Sequence, residues 1–373
     1  MIDLLYKQPV MKRKKILFGA VDIGWRIATY TFFIEKQLND KLISESFSKY
    51  VVPSTFYKTT YTYTCPVNTN PKMKFYLYSL WFFITALFKY DIFHFFSGET
   101  ILPRKLQAVE LLLYRLFKKK LIMHFVGADI RSPRYLEEKG EKIREYLQGG
   151  RLKEPISLDY QVKIINLSKK YADHIIVSTP DLLEIIPQAT YFPVLLDDFV
   201  QNQSIKTKAL SGVRKIKILH SPSGTKTKGS KYIYEALSSI LKKYPDSIEL
   251  ILPKAQDYNY AMNRGDLIEA MKSSDIVIDQ LLIGWYGLKS IEALSFGCEV
   301  LCYIDNKLTK FLFPESPIVN VNAQNLEDTL TSKIDSLLIK NNKSKRALEN
   351  NIWIDKYHRV DSCYSFLSKI WGV

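Results

Sequence analysis

The segment 279–300, DQLLIGWYGLKSIEALSFGCEV, gathers the residue types that can hold a phosphorylated ligand. An apolar run ends near Asp279, a loop carries Gly284 and Gly287, and the pattern predicts a helix from about Leu288. Beyond the carboxyl end of a parallel strand, a helix N-terminus turns backbone N–H donors toward an anion. Gly284, Tyr286, Gly287 and Leu288 are therefore expected to line a donor site. Glu292 falls in the first turns of the same helix, where its carboxylate can accept hydrogen bonds from sugar hydroxyls. The alternative is a plain glutamate favoured near a helix N-terminus by the dipole. A second segment, HSPSGTKTKGSK at 220–231, follows another apolar run and precedes a helical pattern. Ser223, Gly224 and Gly229 permit close backbone approach, while Lys226 and Lys228 can neutralise a diphosphate. A solvated basic turn is the alternative there. The spacing is not that of a P-loop.

The first half offers two weaker loops. FGAVDIGWR at 18–26 carries Gly19 and Gly24 but lacks G-x-G-x-x-G, which argues against a nicotinamide enzyme. HFVGADIR at 124–131 brings together His124, Asp129 and Arg131. His124 and Asp129 are the catalytic candidates, and Gly19, Gly24 and Arg131 are candidates for an acceptor or cleft loop. A histidine in an apolar strand also serves a purely structural purpose. No Ser/His/Asp or Cys/His signature is present. No Asp-x-Asp pair occurs in the chain, so no carboxylate motif is expected to hold a metal on a diphosphate. Lysines and helix dipoles are expected to stabilise the leaving group instead, with no cofactor and no essential metal.

These loops need strands and helices to position them. Strand-like runs lie at Lys15–Ala20, Asp91–Phe96, Leu121–Val126 and His174–Ser178, with helical patterns between them, notably Lys105–Lys120 and one from about Ala28. After the polar stretch Gln201–Lys208 the alternation restarts at Ile216–His220, Ile248–Leu252, Ile276–Asp279 and Glu299–Tyr303. Alternating strands and helices predict parallel sheets with right-handed crossovers. The expected class is α/β, with two Rossmann-like domains over 1–198 and 199–342. A helical segment, 343–373, is expected to pack back on the first.

At 373 residues the chain suits two such domains. Its 47% hydrophobic and 24% charged content is that of a folded protein. No secretory leader is read: Lys12–Lys15 are followed only by the short run Ile16–Val21, before Asp22. The four cysteines lack zinc-ligand spacing and read as reduced thiols of a cytoplasmic protein. A net charge of +15 calls for an anionic partner. Nucleic acid is disfavoured, since no zinc finger, RNA-recognition signature or interleaved basic–aromatic run is present. The apolar run Phe75–Phe88 is short of the roughly 20 residues that span a bilayer. With the basic stretch Arg104–Lys120 it suggests peripheral contact with an anionic membrane at the cytoplasmic face. A buried helix beside a solvated lysine face is the open alternative.

Taken together, G-W-Y-G-L-K-S-I-E-A from Gly284 to Ala293, Lys228–Gly229, VSTPDLL at 177–183, FPVLLD at 192–197 and FVGADIR at 125–131 resemble the GT-B-fold glycosyltransferases of the large retaining family four. That resemblance implies two domains facing across a cleft, with Glu292 on the donor ribose and Lys228 on the donor diphosphate. The family's first glutamate, which faces the transferred sugar, is replaced here by Gly284. The partner arginine is absent, and Lys226 is the suggested substitute. Val126 stands where the family has its common histidine, with His124 two residues earlier.

The function so implied is retaining, metal-independent transfer of a sugar from a nucleotide-diphosphate sugar to a hydroxyl acceptor. The acceptor is a saccharide or lipid-linked saccharide, in the assembly of surface polysaccharide, lipopolysaccharide or glycolipid. Two other classes fit the same residues. A nucleotide-sugar epimerase needs acid/base carboxylates in the cleft, and an inactive sugar-nucleotide-binding protein keeps Glu292 and Lys228 without turnover.

Overall fold

The computed structural model describes residues 13–22, 26–49, 61–65, 72–131, 157–196, 200, 215–222, 224–253, 262–359 and 361–373. Among the described residues, twelve strands form two parallel sheets. The first contains β1 (Lys14–Gly19), β2 (Leu42–Ser48), β3 (Tyr63–Thr64), β4 (Ile92–Phe96), β5 (Lys120–Phe125), β6 (His174–Val177) and β7 (Thr190–Tyr191), in the order β3-β2-β1-β4-β5-β6-β7. The second contains β8 (Ile216–Leu219), β9 (Ile248–Ile251), β10 (Ile276–Ile278), β11 (Glu299–Cys302) and β12 (Ile318–Asn320), in the order β12-β11-β10-β8-β9. Central strands such as β4 and β5 are buried almost throughout because helices cover both faces, so they read as unbroken apolar runs.

In the first unit, α1 (Arg26–Gln37) packs on one face of the sheet. On the other lie α2 (Lys72–Lys89), α3 (Gln107–Leu116) and α4 (Leu158–Tyr171), whose Phe82, Phe83, Leu111, Tyr114 and Ile164 meet Phe93, Phe95 and Met123. In the second unit, the short α5 (Thr225–Lys228) leads into α6 (Ser230–Lys243), followed by α7 (Arg264–Ser273), α8 (Leu288–Ser295) and α9 (Leu326–Ile339). Ile233, Leu237 and Ile240 of α6 and Leu330 and Ile334 of α9 cover one sheet face; α7 and α8 cover the other.

The segment from Lys343 divides its packing. Its first helix, α10 (Lys343–Tyr357), lies on α8, with Asn350 Nδ2 donating to the Leu294 carbonyl. Its last, α11 (Tyr364–Trp371), buries Leu367, Ile370 and Trp371 with Phe18, Tyr30 and Phe33 of the first unit. Four strands are not anticipated from sequence; two of them, β3 and β7, have only two residues each. β2, LISESFS, is interior yet half polar, since Ser46 bonds Thr62 and Glu45 takes Lys89 and Tyr90. β12 has only three residues. The helix expected over Lys105–Lys120 is shorter: Lys118 turns the chain at φ 53° and Lys120 already opens β5.

Candidate functional site

In each sheet the strand order reverses once, between β1 and β4 in the first and between β8 and β10 in the second. Loops leaving the carboxyl ends of those strands frame a crevice. Both segments read as donor-binding lie there: 220–231 follows β8, and 279–287 follows β10.

The centre of the second crevice is Asp279, the residue after β10, fully buried. Its carboxylate receives Lys228 Nζ at 2.9 Å, Lys289 Nζ at 3.2 Å and the Ser290 hydroxyl at 2.7 Å. Burial alone would raise this carboxyl, but the two ammonium groups and the hydroxyl hold it well below the usual carboxylate range. Lys289 is pushed down by burial, against the pull of Asp279. Its ammonium also donates to the Ser221 carbonyl at 3.2 Å, tying the two loops together. Between them stands His220, whose Nδ1–H donates to the Ile278 carbonyl at 2.9 Å and whose Nε2 accepts from Ser230 at 2.8 Å. Burial lowers it to about 3, so it is neutral at pH 7.

The loop before α8 is shaped from inside by Gln280. Its amide nitrogen donates to the carbonyls of Trp285 (2.9 Å) and Tyr303 (3.0 Å), and its oxygen accepts from the amides of Leu282 (2.8 Å) and Ile283 (2.7 Å). Gly284 has φ 81°, and a Cβ there would stand 2.9 Å from Cβ of Asp305. The loop as folded therefore leaves no room for the glutamate that the resembling family carries at this position. At Gly229, φ 69° starts α6, and a Cβ would press on Leu282 at 3.1 Å.

Gly287 and Leu288 sit at the N-terminus of α8, with open space around Gly287. Tyr286 does not face that space. Its ring is buried, stacked on Trp285 and edge-on to Trp353, and its hydroxyl meets His358 Nε2 at 3.3 Å. Glu292 is buried too and forms a two-pronged pair with Arg264 of α7, NH1 to Oε2 at 2.7 Å and NH2 to Oε1. It is thus no surface glutamate. Ser223 lies outside the described residues, as does the side chain of Lys226.

At the first sheet, Gly19 ends β1, where a Cβ would touch Phe95 at 3.3 Å; Gly24 lies outside the described residues. Asp22, not singled out in the sequence, is buried, accepts from the Ile27 amide and the Tyr61 hydroxyl, and is raised by that burial to about 6. His124 belongs to a buried chain of hydrogen bonds. Indole N–H only donates, so Trp371 Nε1 donates to His94 Nδ1 at 3.3 Å. His94 Nε2–H then donates to His124 Nδ1 at 3.3 Å, and His124 Nε2–H to Ser178 Oγ at 2.8 Å. Arg26 donates to the same Ser178 oxygen. Burial takes His94 to about 3 and His124 well below its ordinary value, so both rings are neutral. Asp129 accepts the amides of Val126 (2.8 Å) and Gly127 (2.7 Å) and closes its own loop; burial raises it. Arg131 is committed to Asp181 at 2.8 Å and Thr179 at 3.1 Å. His124, Asp129 and Arg131 thus lie together at the carboxyl ends of β5 and β6, facing protein partners.

Contacts between the units are aromatic and polar. Tyr191 packs edge-on against Trp285 and Phe311. His358 donates from Nδ1 to the Val194 carbonyl at 2.7 Å, and the Leu196 amide donates to the His358 carbonyl at 2.8 Å.

No family model matches the chain, and no curated protein matches it. Solved structures do. The catalytic domain of starch synthase IV from Arabidopsis thaliana, bound to ADP and acarbose, superposes with a TM-score of 0.59 at 11% identity, covering 97% of this chain and 99% of that one. Sucrose-phosphate synthase from Thermosynechococcus elongatus gives 0.57 at 12% identity, covering 96% and 98%. The HepE protein of Anabaena, in complex with UDP and glucose, gives 0.56 at 13%, covering 96% and 100%. The chain has the fold of the GT-B glycosyltransferases, with both units matched.

Proposed function

We propose that this chain is a glycosyltransferase that moves a sugar from a nucleotide-diphosphate donor to a hydroxyl of a saccharide or lipid-linked saccharide. The observation that carries this reading is the Lys228–Asp279–Lys289 cluster beside the N-terminus of α8, at the crevice of the second sheet. Two ammonium groups and a helix N-terminus at one point suit a diphosphate. The GT-B neighbours, seen with UDP or ADP, support the same ligand class.

In this reading Lys228, Lys226 and the amides of Gly284–Leu288 take the charge of the leaving diphosphate, and no metal is needed. The acceptor oxygen bonds to the anomeric carbon as the bond from that carbon to the β-phosphate oxygen breaks. The bonding pair leaves with the phosphate oxygen, which accepts the acceptor's proton on the same face, and configuration is retained. No protein nucleophile takes part. Glu292, oriented by Arg264, is assigned to the ribose hydroxyls. With Gly284 in place of the family's glutamate, donor-sugar contacts fall to other residues. The domain limits 1–198 and 199–342 are proposed on the same basis.

The test is incubation with a panel of sugar nucleotides, reading nucleoside diphosphate release with and without EDTA. Calorimetry with the free diphosphates follows on Lys228→Ala. Release from at least one donor, surviving chelation, is expected, and the variant should bind the diphosphate about 1–3 kcal/mol more weakly. Diphosphate binding unchanged in a folded Lys228→Ala would remove the site assignment.

A further inference from the structure

Helix α2 is apolar all round. Phe82, Phe83, Ala86 and Leu87 point into the first core, while Met73, Tyr76, Leu77, Leu80, Trp81, Ile84 and Phe88 form a second stripe at helical spacing on the outside. These outer side chains are 47–70% exposed, far more than a buried helix allows. Helix α3 does the same on a smaller scale, with Leu106, Val109, Leu112 and Leu116 outward. Phe88 and Phe117 meet edge-on at 5.6 Å and join the two stripes into one surface. Contiguous apolar surface of this kind marks an interaction site.

Charge selects the occupant. Lys74, Lys105 and Lys118 stand exposed around the patch, and α2 contains no acidic residue. Of the acids nearest in sequence, Asp91 is exposed just past the end of α2, where its carboxylate accepts the Lys15 amide; Glu110 is buried on Thr100 and the amides of Ile101 and Leu102, and Glu99 pairs with Lys49 and Arg104. A second copy of a chain of net charge +15 would bring like charges together across such a rim. No helix among the described residues is long and apolar enough to cross a membrane. We infer that the α2–α3 face docks flat on an anionic lipid bilayer, with the aromatic and aliphatic stripe at the headgroup level and the lysines on the phosphates. This stands independently of glycosyl transfer, since neither helix contributes to the Asp279 cluster.

The experiment is co-sedimentation of the full chain, without nucleotide, with vesicles of phosphatidylcholine alone or mixed with phosphatidylglycerol. The parent should pellet with the anionic vesicles only, less so as salt rises. Lys74→Glu/Lys118→Glu should lower the partition coefficient at least about tenfold, and Leu77→Glu/Trp81→Glu should abolish pelleting. All four changes are at exposed positions, and far-UV circular dichroism checks that the variants fold. A parent-only readout needs no variant: tryptophan emission should shift to the blue when anionic vesicles are added. A parent that remains in the supernatant with both vesicle types overturns the inference. So does a Leu77→Glu/Trp81→Glu chain that pellets like the parent. Light scattering that shows a dimer broken by that variant, with no vesicle binding, would assign the face to a second copy instead.

Discussion

The crevice ends of the two sheets are built from opposite materials. At the first, the Arg131–Asp181 pair lies beside a buried chain that carries no charge: Trp371, His94, His124 and Ser178, in which every donor has one acceptor. At the second the buried cluster is charged, with Lys228 and Lys289 converging on Asp279. A neutral chain fixes geometry and leaves the Ser178 hydroxyl, which already accepts twice, free to act as donor. A lysine has three donors, so one held by Asp279 still has protons to offer an incoming anion. The same topological position thus supplies orientation in one unit and charge in the other.

The comparison breaks most visibly at Asp279. Asp279→Ala leaves two lysines buried without their carboxylate and should cost about 3–5 kcal/mol in denaturant unfolding. Its pH dependence has a definite sign. A carboxyl held below its ordinary value of 3.8 contributes stability that is complete above that pH and is lost as pH falls further, and the variant should lack that component.

The next effect concerns the loop rather than the charge. Gly284→Ala should cost about 1–2 kcal/mol, because a side chain at φ 81° is strained and would also crowd Asp305. Gly284→Glu should do no better and should gain no donor binding by calorimetry. Tighter sugar-nucleotide binding by Gly284→Glu would show that the loop readily adopts the family's shape.

A third effect separates neutral from charged directly. A histidine lowered by burial from 6.5 to about 3 stays neutral in the fold while the unfolded chain takes up a proton. Stability should therefore fall as pH drops from about 6.5 toward 3, and His94→Phe should flatten that slope in urea titrations. An unchanged slope would mean that His94 charges without penalty.

Much of this was legible in the sequence. The apolar runs marked β1, β4, β5 and β6 and β8, β10 and β11 because strands covered on both faces leave little alternation to misread; β9, an edge strand with Glu249 exposed, showed in Ile248–Leu252 as an apolar run with one polar break. β2 escaped because its serines and Glu45 are satisfied by Thr62, Lys89 and Tyr90, partners from other elements. In the site, the loops around Lys228 and Gly284 stood out by composition. Their partners did not, because pairings such as Arg264 with Glu292, 28 positions apart, or Lys228 with Asp279, 51 apart, exist only after folding. Asp279 and Lys289 were in view in the quoted segment, but nothing local says that they meet. Tyr286 and Gln280 teach the converse: polar residues in a loop that reads as ligand-binding can be spent on holding that loop in shape.

The docking of Trp371 on the first sheet bears on the order in which the protein is made. A chain emerging from the ribosome tends to fold its units from the N-terminus onward. Here Trp371 reaches His94 across 277 positions of sequence and fills the gap beside Phe18 and Tyr30. While the second unit is still being synthesised, the first has an unfilled hole in its core and an imidazole chain without its terminal donor. The first unit therefore depends for one of its core side chains on a helix made after the second unit, and that same side chain supplies the donor His94 Nδ1 accepts.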